Sequence, residues 1–75
     1  MIEKSSIEGQ LLISIYRQNF DEFKKGLSKK ELLRIGDRLN RERLICKLAQ
    51  DASGEVFSTG LYPNGRELVE GWKEE

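Results

Sequence analysis

The chain has 75 residues, 37% hydrophobic and 35% charged, with 13 basic and 13 acidic side chains and no net charge. That length supports one domain whose single core buries about 60% of the unfolded surface, which leaves stability marginal, dimerisation open and no room for a multi-layered catalytic cleft. One cysteine, Cys46, excludes an intramolecular disulfide and a cysteine-based zinc cluster, and the lack of histidine removes the commonest metal ligand and general base, so no enzyme, metal or cofactor is expected.

The opening Met1-Ile-Glu-Lys4 lacks the basic-then-apolar plan of a signal peptide, and no apolar run approaches a membrane span. A soluble, cytoplasmic protein with no membrane partner is expected. Ser5-Ser-Ile-Glu8 offers a capping box, with Ile2 too far back to staple it. Ile7, Leu11, Leu12, Ile15 and Tyr16 then follow helical spacing, predicting a first helix from about Ser6 to Gln18. Gly9 should weaken its first turn by about 1 kcal/mol relative to alanine. Asn19 to Lys25 reads as a short second helix, with Asn19 or Asp21 as cap and Phe20 and Phe23 on one face. Its early acids and late lysines complement the helix dipole, and Gly26 offers a stop with positive φ.

Ser28 and Glu31 form a second capping box, flanked by a Leu27–Leu32 staple. A third helix therefore starts near Ser28, and it should end near Glu42-Arg43. Successive residues step about 100°, which gathers Leu32, Ile35 and Leu39 on one side. Lys30, Arg34, Arg38 and Arg41 fall within about 80° of one another on the far side. Like-charged helix neighbours repel, so such a row points to an anionic partner or, more plainly, to a solvated basic face. Residues 24–47 hold nine Lys/Arg against three acids, a local +6 on a neutral chain. Screening beyond about 8 Å lets such a patch act locally, yet a dedicated DNA binder is usually basic overall.

Leu44 to Gln50 favours a strand with Leu44, Cys46 and Leu48 on one side. Asp51-Ala-Ser-Gly54 is turn chemistry, and Glu55 to Tyr62 is the return strand, rich in β-branched and aromatic residues. Pro63 can open a last helix through Trp72, with Leu68, Val69 and Trp72 on its apolar face. Trp72 should pack that helix onto the first, or onto a second copy. Lys73-Glu-Glu75 reads as a polar tail, and Cys46 as a small buried hydrophobe.

Three helices, a hairpin and a final helix resemble the winged-helix variant of the helix-turn-helix fold. The resemblance is carried by Gly26-Leu-Ser28, by Leu39-Asn-Arg-Glu-Arg-Leu-Ile45 and by Leu61-Tyr-Pro-Asn-Gly-Arg-Glu-Leu68. In bacterial winged-helix regulators a Gly-Leu-Ser turn opens the recognition helix, which closes on Leu-x-x-Glu-Gly-Leu-Ile, and the segment after the wing runs Leu-Thr-x-x-Gly-Arg-Glu-Leu. The chain is similar to small YjcQ-type proteins of Gram-positive bacteria and their phages. It departs at Arg43, where glycine is expected, and at Tyr62, where threonine is. Glycine at the first position takes positive φ, so Arg43 implies a different turn or an earlier helix end.

The resemblance implies a transcriptional regulator binding double-stranded DNA, with the recognition role on Ser28, Lys29, Lys30, Leu33, Arg34, Asp37, Arg38 and Arg41 and with Lys24, Lys25 and Lys47 widening the patch. Within that frame Arg34 is placed to pair bidentately with guanine, Arg38 and Arg41 to hold phosphates, and Ser28 with the first-turn N–H groups to bind one phosphate. The hairpin tip, Asp51 to Glu55, carries two acids and no base, unlike a DNA-touching wing. The alternative is a protein-interaction module whose basic stripe docks on an acidic surface.

Overall fold

Serine hydroxyls set two of the helix starts, and left-handed residues set two of the stops. The computed structural model describes residues 2–73, so the acidic end of the expected polar tail, Glu74 and Glu75, lies outside the described residues. In chain order the elements are α1 (Ile7–Tyr16), α2 (Phe20–Lys24), α3 (Lys29–Arg41), β1 (Ala49–Gln50), β2 (Val56–Phe57) and α4 (Pro63–Lys73). This is the expected α+β layout of three helices, an antiparallel two-stranded hairpin and a C-terminal helix.

The cap of α1 is Ser6, one residue later than a Ser5–Glu8 box requires. Its Oγ accepts from the Gly9 N–H at 3.1 Å and donates to the Glu3 carbonyl at 2.6 Å. One hydroxyl thus folds the N-terminal segment back over the helix, and Ile2 joins the core. Gly9 sits where a Cβ would fall on the Glu3 carbonyl oxygen. The helix-propensity gain of alanine is not available there. In α3 the expected cap forms: Ser28 Oγ accepts from the Glu31 N–H at 3.2 Å. The Glu31 carboxylate does not complete the box, because it turns to Arg34.

The two long N-terminal helices end alike. Gln18 and Arg43 take positive φ, 61° and 58°. The following N–H groups, of Asn19 and Leu44, reach back to the carbonyls of Ser14 and Leu39. This is the Schellman closure. Arg43 therefore makes the positive-φ turn usually given to glycine, and neither a different turn nor an early stop results. A non-glycine residue in that region costs on the order of 1 kcal/mol, offset here by two closing hydrogen bonds and by Leu44 packing against the core. Gly26 does not use positive φ. Instead α2 runs out through short bonds from Lys25, Gly26 and Leu27 to the carbonyls of Glu22, Phe23 and Lys24.

The hairpin is much less regular than its sequence. Ala49 pairs with Phe57 and Gln50 with Val56, and a separate bridge joins Ile45 to Leu61 in the same register. Between them the ladder lapses. The Gly60 N–H is taken by Ser58 Oγ at 3.2 Å, a local bond that competes with strand pairing. Leu48 meanwhile drops onto Gly36 of α3, where a Cβ would come within 2.8 Å of Leu48 Cγ. The buried residues of this arm are accordingly Ile45 and Leu48, with Leu44 and Cys46 only half-buried. The expected one-sided alternation of Leu44, Cys46 and Leu48 does not occur.

The tip follows turn chemistry closely. Asp51 Oδ1 accepts from Ser53 Oγ at 2.6 Å and from the N–H groups of Ser53 and Glu55 at 2.9 and 3.0 Å, and Gly54 sits at φ 86°. The Ser53 hydroxyl foremost, then the backbone donors, hold the Asp51 carboxyl below its ordinary 3.8. A depressed folded-state value stabilises the fold above the unfolded pKa, and that stability is lost as pH falls through the folded value. Asp51→Asn should therefore flatten the acid limb of a melting-temperature-versus-pH curve below about pH 4, as read by circular dichroism. An acid limb identical to wild type would refute the assignment.

The core gathers Leu11, Leu12, Leu39, Ile45, Ile35 and Val69, all nearly fully buried, around α1. Partly buried Trp72 and Leu68 of α4 pack against it, as expected of Trp72. Among the described residues no helix is long and apolar enough to cross a membrane.

Candidate functional site

The core face of α3 comprises Leu32, Ile35, Gly36 and Leu39. Stepping about 100° per residue, Lys30, Arg41 and Arg34 lie within about 40° of one another opposite that face, and all three are exposed. Arg38 stands about 80° from Lys30, on the flank that meets α1. The other flank meets the hairpin. There Leu33, Arg34 and Asp37 of α3 line a shallow groove with Lys47, Leu48 and Gln50 of the first hairpin arm. The fold thus brings Lys47 to the same surface as Arg34, as expected. Gln50 was not anticipated: regular alternation puts it on the opposite side from Lys47, and the lapse in the ladder turns both toward the groove.

The uninterrupted cationic row expected from the sequence is not what the fold presents. Arg34 Nη2 lies 2.8 Å from Glu31 Oε2, and Arg41 Nη2 lies 2.8 Å from Asp37 Oδ2. Arg38 reaches Glu8 of α1 at 3.4 Å and Glu42 at 4.0 Å. Lys25 pairs with Glu22 at 3.3 Å. The physical reason is partly local: all three acids of the segment stand three or four residues from an arginine, the spacing at which helix side chains meet. The rest is tertiary, since Glu8 and Glu55 come from distant elements. Glu8, Asp21, Glu22 and Glu55 all reach cations of residues 24–47, which reduces that segment's local excess from +6 to +2.

These pairs differ in how firmly they hold. Arg34 and Arg41 keep 64% and 79% of their side-chain surface exposed, and exposed pairs contribute roughly 0–1 kcal/mol. Opening either pair costs little in itself. Arg38 faces a Glu8 only 18% exposed, so it ties α3 to α1. Lys24 is committed further. Its side chain is 14% exposed, and its ammonium donates to Glu55 Oε1 at 2.8 Å and to the Val56 carbonyl at 2.9 Å, with Asp21 at 3.3 Å. The Glu55 hydrogen bond outweighs desolvation and raises the Lys24 pKa above 10.5. Lys24 therefore fastens the hairpin tip to α2 rather than joining an outward patch, and it covers a carbonyl of the β2 edge.

Lys29, Lys30 and Lys47 are exposed and have no carboxylate within ion-pair distance among the described residues. Lys29 Nζ lies close to the hairpin tip, 3.0 Å from where a Cβ on Gly54 would stand. Ser28 is exposed as the cap of α3. The surface therefore combines three unpaired lysines, two loosely paired arginines and a capped helix start beside the hairpin. The acidic tip residue Glu55 is neutralised by Lys24, while the Asp51 carboxylate is occupied by the turn. No family model, no curated protein and no solved structure matches this chain.

Proposed function

We propose that the chain is a small, non-catalytic duplex-DNA-binding protein, a transcriptional regulator of a bacterial or phage genome acting in the cytoplasm. The observation that carries the reading is the outer face of α3. Among the described residues no other element covers it, it runs from Lys30 to Arg41 along one side of a helix, and the hairpin flanks it with Lys47. A helix of that form fits the major groove, with its N-terminal residues nearest the base edges.

The ion pairs fix how strong the binding is. Among the described residues of this surface, Lys29, Lys30 and Lys47 neutralise phosphates without giving up a partner. A logarithmic plot of affinity against salt should then have a slope of about −3, rather than the −6 or steeper of a fully unpaired patch. Fluorescence anisotropy on a mixed-sequence duplex between about 50 and 200 mM salt measures it. Arg34→Glu with Arg41→Glu should weaken binding at least about tenfold while shifting the melting temperature little, because exposed pairs contribute so little. Arg38→Glu should instead lower the melting temperature, by setting a carboxylate against half-buried Glu8. No detectable binding of any duplex at low salt would end the DNA reading.

A second reading is favoured by the carboxylate pairs themselves. An acidic protein surface would replace Glu31 and Asp37 like for like at Arg34 and Arg41 and would meet the same three lysines. Loss of a purified protein partner on Arg34→Glu/Arg41→Glu, with no duplex binding by the wild type, selects that reading.

A further inference from the structure

We propose that Glu31 and Asp37 are specificity-determining residues of the α3 surface, holding Arg34 and Arg41 in intramolecular pairs that turn away indiscriminate phosphate. This rests on the duplex-DNA reading above and deepens it. Both pairs are 2.8 Å long, and the Arg34 guanidinium donates a charge-assisted hydrogen bond to Glu31 Oε2. The three lysines of the same surface have no such partner among the described residues. The surface is thus divided by chemistry. Within α3 the unpaired cations are Lys29 and Lys30, which act as point charges on phosphate, and the engaged cations are arginines, whose planar forks can read guanine bidentately.

A phosphate that seeks Arg34 or Arg41 must displace a carboxylate and leave it facing a polyanion. That is a repulsive element set against the wrong ligand, the usual way a site gains discrimination without gaining affinity. A matching base pair offsets the loss. Guanine O6 and N7 accept from the arginine, and a cytosine N4 amine can donate to the released carboxylate. Asp37 lies on the groove shared with Arg34 and Lys47, and Glu31 lies one turn before Arg34 on the same helix. In the proposed pose the Glu31–Arg34 pair stands in the N-terminal half of α3 nearest the base edges, and the Asp37–Arg41 pair stands further along the same helix. The neutral charge of the whole chain fits this arrangement, since weak general affinity for polyanions sharpens the ratio between a preferred site and bulk DNA.

The test compares the wild-type chain, Glu31→Gln/Asp37→Asn and the control Glu3→Gln/Glu67→Gln. The control removes two exposed carboxylates that make no ion pair among the described residues, so its net charge matches the α3 variant. Each protein is eluted from heparin with salt. Each is then titrated with random-sequence duplex and with the duplex that the wild type enriches from a random pool. The α3 variant should elute later than the control and bind random duplex about tenfold tighter. Its salt slope should be steeper by up to about 2, and its ratio of preferred to random affinity should fall. Equal elution and equal affinities for the α3 variant and the control, in proteins that do bind duplex, overturn the proposal alone. Absence of duplex binding by all three proteins overturns the DNA reading and the proposal with it.

Discussion

Leu39→Ala should lower the free energy of unfolding by about 2–5 kcal/mol, the range for deleting a fully buried leucine. Leu39 has no exposed surface, and it lies in the last turn of α3 among Ile35, Ile45 and the residues of α1. Its neighbours are held in place from several directions. Its own carbonyl receives the Leu44 N–H that closes the helix, and Leu44 in turn receives the Tyr62 N–H. A site fixed by two backbone closures cannot collapse into the space left by three missing carbons, so the cost should fall in the upper part of that range. For a domain of this size each kcal/mol moves the melting temperature by about 4–8 °C, and total stability is of order 5 kcal/mol. Thermal melts followed by circular dichroism should show a loss of at least about 10 °C. A variant melting within a few degrees of wild type would mean that α3 does not seat on this core.

Helices were legible because their signals are local. Ser28 three residues before Glu31, the spacing of Leu32, Ile35 and Leu39, and Pro63 at the head of α4 each act within one turn of the chain, and each is found in the fold. The hairpin was legible in register but not in regularity. Asp51, Ser53 and Gly54 fix the tip, and the tip fixes which residues face each other from Gln50 and Val56 back to Ile45 and Leu61. What no propensity reveals is that Leu48 seats on Gly36, or that Ser58 Oγ captures the Gly60 N–H. Arg43 shows the opposite error. Residue type argued against positive φ, yet the closing bonds of Asn40 and Leu39 with Arg43 and Leu44 outweigh a cost on the order of 1 kcal/mol.

The candidate site divides along the same line. The exposed basic side of α3 follows from periodicity alone. The pairing of Arg34 with Glu31 and of Arg41 with Asp37 was also within reach of the sequence, since three- and four-residue spacings are the contact distances of a helix. Counting charges hid it, because a net +6 says nothing about which cations already have a partner. Glu8 beside Arg38 and Glu55 beside Lys24 were beyond reach. Those contacts span 30 and 31 residues and depend on how α1 and the hairpin tip lie against their neighbours.

Gly65 and Gly71 form an internal contrast within α4, and opposite outcomes are expected at the two positions. Alanine is favoured over glycine in a helix by about 1 kcal/mol, so on propensity both changes stabilise. Nothing lies within 4 Å of a Cβ on Gly71, and Gly71→Ala should raise the melting temperature. At Gly65 a Cβ would fall on the Leu44 carbonyl oxygen and come within 2.9 Å of its carbon and 3.3 Å of its Cα. These are backbone atoms, so no rotamer change relieves the contact. That same oxygen accepts the Tyr62 N–H at 3.1 Å, next to the Ile45–Leu61 bridge. Gly65→Ala must therefore move α4 away from the base of the hairpin or break the bond that holds that base to α3. Overpacking costs roughly 1–3 kcal/mol, more than the propensity gain returns, and the strained joint is the one that sets the angle of the hairpin beside α3. The variant should melt lower than wild type while Gly71→Ala melts higher. Hydrogen exchange at the Tyr62 amide should accelerate, because its acceptor is displaced. If the two alanine variants are equally stable, α4 does not rest against Leu44, and the hairpin is not anchored as described.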